Sequence, residues 1–222
     1  MLLGALTGCA KTPAGSSPPP APATAATVAP AVTTKIATAS TPVPVAGNAF
    51  VSASVTCPSG SELVGGGFAA VLSDGRLPPP SLHVTAGFPS APRSWTVAAA
   101  TGKQPVARGV AQQFALCLPQ PPGATLGQIV STTVPGPIGA GATARATAVC
   151  PAASILTGGG ARASGATGET QPAPPALHLI GSLPSTPAGA AVLAGVARSW
   201  TAVTQNGGMP SPGAATTAFA IC

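Results

Sequence analysis

An all-β fold, built as two tandem homologous β-sandwich or small-barrel modules, is predicted by three observations. Apolar and hydroxyl residues alternate over short segments, Gly and Pro punctuate the chain densely, and an ordered internal repeat ends each copy on a cysteine. With 28 Gly and 28 Pro among 222 residues, long unbroken helices are disfavoured. Charged residues make up only 5% of the chain, which excludes coiled coils and highly charged tails. The net charge of +6 reflects three acidic residues against nine basic ones, a shortage of acid and not a basic surfeit. No apolar run approaches the roughly 20 residues that span a bilayer, so a polytopic membrane protein is excluded.

The first element is an export signal. Residues 1–9 read Met-Leu-Leu-Gly-Ala-Leu-Thr-Gly-Cys. The apolar stretch closing on Leu6-Thr7-Gly8-Cys9 resembles the lipobox of bacterial lipoproteins. That resemblance implies that Cys9 is acylated, palmitate being a typical chain, and holds the protein to a membrane. No Lys or Arg precedes Cys9, so the charged region that opens a signal peptide is missing and is expected upstream of Met1. Residues 10–34 are Ala, Pro, Thr and Ser with little else. Such a composition cannot bury enough apolar area to offset chain entropy, and it reads as a disordered tether.

The body follows as module 1 (35–118), a linker (119–127) and module 2 (128–222). Cys57-Pro58 with Gly65, Gly66 and Gly67 recurs as Cys150-Pro151 with Gly158, Gly159 and Gly160. Leu82-His83 recurs as Leu177-His178, Arg93-Ser94-Trp95-Thr96 as Arg198-Ser199-Trp200-Thr201, and Phe114-Ala115-Leu116-Cys117 as Phe219-Ala220-Ile221-Cys222. The second copy carries a short insertion before its Pro174-Pro175 and a longer one, rich in Ala, Gly and Val, over 188–197. Insertions of this kind belong in loops.

Within copy 1 the segment 51–57 alternates apolar and hydroxyl residues, as a strand with one buried face does. Its twin is 144–150. Further strands are expected at 67–73, 82–88, 95–100 and 110–117, five or six per copy, which suits a sandwich or small barrel. The closing strand is apolar on both faces and is expected to lie centrally.

Setting Cys9 aside leaves four cysteines, two per copy. Of three connectivities, repeat symmetry selects Cys57–Cys117 and Cys150–Cys222 over the cross-copy pairings. Modules of this size sit near the lower limit for a self-sufficient core and need such bracing. Disulfides also require an oxidising compartment, in agreement with export.

Residues able to carry chemistry are few. The acids Glu62, Asp74 and Glu169 do not recur at matching positions, and Glu62 aligns with Ile155, so surface roles are expected. A glycosidase needs two opposed carboxylates and a hydrolytic triad needs an acid to orient its His; neither set is offered twice. His83 and His178 recur between apolar neighbours and are candidate ligand contacts. Without a second local donor no metal is assigned to them; a hydrogen bond at a strand edge is the plainer role. The triple glycines lack the Lys-Ser or Lys-Thr of a phosphate loop and are read as structural, admitting positive φ, a bulge, or a close neighbour such as Trp95 or Trp200. Arg93 and Arg198 each precede a Trp by two residues. They are expected to cover the indole or to present cationic points to an anionic envelope polymer. The other basic residues are dispersed, so nucleic-acid binding is not expected.

The ordered set Cys-Pro, six residues, Gly-Gly-Gly, then Trp and a closing Phe-Ala-x-Cys resembles a module of secreted actinobacterial proteins with no assigned activity. It covers both copies, roughly 36–222. The resemblance brings no catalytic residue, no cofactor and no enzymatic role. What is expected is a lipid-anchored, exported envelope protein that is not an enzyme, with a binding or structural role toward an envelope polymer or surface protein. A freely secreted adhesin and, behind it, an envelope hydrolase are the alternatives.

Overall fold

Short β-favouring segments cut by Gly and Pro fold here into strands and turns alone. The computed structural model describes residues 33–124, 126–165 and 176–222. Cys9, nearly all of the tether, Glu169 and the short insertion before Pro174 lie outside these residues. Among the described residues the order in copy 1 is β1 (Lys35–Pro42), β2 (Phe50–Thr56), β3 (Ser61–Leu72), β4 (Leu82–Ala91), β5 (Ser94–Thr101) and β6 (Gly109–Pro119). Copy 2 repeats it with β7 (Ile129–Pro135), β8 (Thr143–Val149), β9 (Gly158–Ser164), β10 (Leu177–Ser185), β11 (Ser199–Asn206) and β12 (Ala215–Ile221).

Each copy folds as two three-stranded antiparallel layers. In copy 1 these are β1-β6-β3 and β2-β5-β4; in copy 2 they are β7-β12-β9 and β10-β11-β8. The closing strands β6 and β12 are central in their layers, as two apolar faces require. The copies then join edge to edge. β4 pairs with β9 through Ala86 opposite Arg162 and Gly87 opposite Ala161, making one six-stranded sheet in the order β2-β5-β4-β9-β12-β7. Half of each copy therefore belongs to a common sheet, and both copies lie in one compact unit.

The core of copy 1 sits between its layers, where Val55, Trp95 and Val97 meet Leu63, Ala115 and the pair Cys57 and Cys117. The core of copy 2 is made of smaller residues, Ala146, Ala148, Ala161, Ala202, Ala218 and Ala220, around Cys150. Cys57–Cys117 and Cys150–Cys222 are both formed, with sequence separations of 60 and 72 residues. Each bridge ties one layer of its copy to the other: Cys57 follows β2 and Cys117 lies in β6, while Cys150 follows β8 and Cys222 follows β12. Disulfides of this kind fit an oxidising compartment outside the cytoplasm.

The glycine triplets lie inside extended backbone, and none of the six has a positive φ. In copy 1 a bulge falls between Leu63 and Gly65. The middle glycine explains the rest. A Cβ on Gly66 would stand 2.5 Å from Cε2 and Cε3 of Trp95, and one on Gly159 would meet Cδ2 of Trp200 at 2.5 Å. Both tryptophans thus lie flat against backbone that has no side chain to displace them.

Candidate ligand-binding groove

The residues singled out by their repetition fall into two groups, those that build the fold and those that stand at its seam. Trp95 is buried at 2% exposure, whereas Trp200 is half-exposed. The cause is the neighbouring strand. β3 begins at Ser61 and buries Leu63, but its counterpart β9 begins only at Gly158, leaving Leu156 half-buried and Trp200 open toward Val196 and Ala197 of the 188–197 insertion. The two indole N–H groups differ as well. Nε1 of Trp200 donates to Ser182 Oγ at 2.9 Å, while Nε1 of Trp95 is buried with no hydrogen-bond partner. Gly87 occupies the place of Ser182 in copy 1, because a Cβ there would stand 2.5 Å from the Phe68 ring.

Arg93 and Arg198 hold turns. Nη2 of Arg93 donates to the Cys57 carbonyl at 2.7 Å, and Nη2 of Arg198 donates to the carbonyls of Pro151 (3.3 Å) and Ala152. In return the Cys57 and Cys150 amides donate to the Arg93 and Arg198 carbonyls, at 2.8 and 2.9 Å. The repeated Arg thus locks the Cys-Pro turn to the start of the Trp strand in both copies. Presentation of these cations to a polymer is not what their bonding favours.

Glu62 differs from a solvated surface acid. Its carboxylate accepts from the Gln120 side-chain amide and, at 3.0 Å, from the Gly127 backbone N–H, so it clasps both ends of the 119–127 linker. At the matching position copy 2 has Ile155, which cannot accept such bonds. Asp74 is a turn acid, paired with Arg76 at 2.7 Å and Arg108 at 3.6 Å; the bonds from Arg76 hold its carboxyl below the ordinary value.

His83 and His178 come together. Their rings lie 5.0 Å apart, centroid to centroid, at an interplanar angle of 61°. Burial first, and the facing His178 second, pull the His83 imidazole below its ordinary value of 6.5.

A groove of about 700 Å³ lies on the outer face of the six-stranded sheet, within the size range of small-ligand sites. Strand alternation builds it. In β5, Trp95, Val97 and Ala99 point into the cores while Thr96 and Ala98 line the groove; in β12, Ala218 and Ala220 point inward and Phe219 outward. Across the seam, Phe88 of β4 stacks on Phe219 at 4.7 Å and 21°. The Arg162 guanidinium carbon stands 5.2 Å and 5.5 Å from the two ring centroids, within cation–π range. Hydroxyls edge this apolar floor: Ser54, Thr96 and Ser90 form a chain with 2.6 Å links, and Ser52 and Ser131 also lie on this face. Arg162 is the single charged side chain among the described residues that line the groove. Comparison with family models, with curated proteins and with solved structures gives no match to this chain.

Proposed function

We propose that the protein is an exported, lipid-anchored, non-enzymatic binding protein of the cell envelope, and that its ligand lies in the groove spanning both copies. The carrying observation is the Arg162–Phe88–Phe219 cluster, a cation above two stacked rings in a concave, hydroxyl-edged surface. An anionic group on the ligand would engage the guanidinium, sugar C–H faces or other apolar parts would cover the rings, and hydroxyls would bond to the Ser and Thr edge. An anionic envelope polymer has all three. The anchor rests on the Leu-Thr-Gly-Cys sequence at Cys9, and the extracytoplasmic address on the two disulfides.

The test uses the oxidised full chain and matched anionic and neutral envelope polysaccharides. Binding is expected for the anionic polymer, falling at least tenfold in Arg162→Gln and in Ser52→Trp, which fills the groove from an exposed wall position. Equal binding of the two polymers, or both variants binding like the parent, would overturn the groove as the site. For the anchor, a fatty-acid probe should label cells producing the parent chain and not those producing Cys9→Ser. Unlabelled parent protein released to the medium would favour a secreted adhesin instead.

A further inference from the structure

We propose that His83 and His178 form a site for one borderline transition-metal ion, Zn²⁺ or copper, at the seam between the two copies. Each copy supplies one imidazole from the same repeat position, His83 in β4 and His178 in β10. A metal–nitrogen bond of about 2.0 Å puts two ligating imidazoles about 5 Å apart between ring centres for a tetrahedral angle, and about 6 Å for a linear one. The observed 5.0 Å separation meets the first of these.

Two further observations point to an occupant. Nε2 of His83 is buried without a hydrogen-bond partner, an arrangement that costs free energy unless something fills its lone-pair or donor position. Beside the other ring, Gly207 leaves room: a Cβ there would stand 3.1 Å from His178 Nε2. The chemistry agrees with the donors. Neutral imidazole is the ligating form, and it supplies a nitrogen of the borderline softness that Zn²⁺ and copper take. No group of three or more His, Cys, Asp or Glu able to hold a metal occurs among the described residues, so two protein donors would leave the remaining positions to water or an exogenous ligand. Such a site is open and exchangeable, unlike the closed sets that hold structural zinc.

The experiment is titration of the untagged, oxidised full chain with zinc chloride and with copper(II) sulfate, read by calorimetry and by the imidazole proton resonances. One ion per chain is expected, with both histidines' resonances shifting or broadening together in the unaltered protein. His83→Gln and His178→Gln should each weaken binding at least tenfold, and Gly207→Val should do so with both histidines retained in the chain. Lowering the pH from 7.5 to 5.5 should abolish the heat, because protons compete for the same nitrogens. Arg162→Gln should bind the metal like the parent, which separates this site from the groove. Absence of heat at millimolar metal, or binding that leaves the imidazole signals unmoved, would overturn the assignment.

Discussion

At the scale of single residues, the contact between Gly66 and Trp95 decides how closely the layers of copy 1 approach. A side chain at Gly66 would have to occupy the space of the indole six-membered ring, which is itself packed in the cluster that contains Cys57 and Cys117. Gly66→Val is therefore expected to destabilise by about 3 kcal/mol or more, as overpacking of a dense interior does. Gly65→Ala is the control, since its Cβ would meet nothing closer than Leu116 Cδ1 at 3.4 Å, an ordinary contact. Thermal melting of the two variants checks the difference: a large loss for the first and a small change for the second. Repetition in the sequence pointed to this Gly–Trp contact in both copies. It could not show that Trp200 would be half-exposed, because that depends on where β9 starts relative to β3 and on the 188–197 insertion.

At the scale of elements, alternation and punctuation located most strands. The segment 51–57 shows the period plainly and covers β2 from its second residue to its end, and the expectation of five or six strands per copy is met by six. β3 runs further toward the amino terminus than the segment 67–73, since its glycines take extended backbone and pair with β6 instead of forming an entry turn. Long-range polar contacts were not legible. Glu62 meets Gln120 and Gly127 at separations of 58 and 65 residues, and no local pattern announces that. Removing this carboxylate leaves the Gly127 amide short of an acceptor and frees the linker at both ends. Glu62→Ala should cost about 1–3 kcal/mol in denaturant unfolding and speed limited proteolysis within 119–127. Unchanged cleavage there would show that the clasp is not what orders the linker. The groove was equally hidden, because Phe88, Arg162 and Phe219 come from three strands and two copies that only the seam brings together.

At the scale of the whole molecule, small cores are braced covalently. Each bridge closes a loop of 60 or 72 residues, worth about 4 kcal/mol each in the chain-entropy model. Two such terms are comparable with the total stability of an ordinary domain. Reduction should therefore shift the midpoint of denaturant unfolding sharply downward, with copy 2 the more affected, because its core is largely Ala where copy 1 has Trp95, Leu63 and two Val. Hydrogen exchange on reduced protein would show β8 and β11 losing protection before β2 and β5; the reverse order would contradict this ranking of the cores.

Both sulfur cross-links fall within a copy, and none runs between the copies. A single backbone cleavage in the linker would leave the two polypeptide pieces with no covalent connection, held at their β4–β9 border by backbone pairing and packed side chains. Dissociation would uncover an unsatisfied strand edge on each fragment and split the aromatic–guanidinium cluster between them. Phe88 would go with the first fragment and Arg162 and Phe219 with the second, so the integrity of the linker, more than that of either bridge, sets the lifetime of the groove.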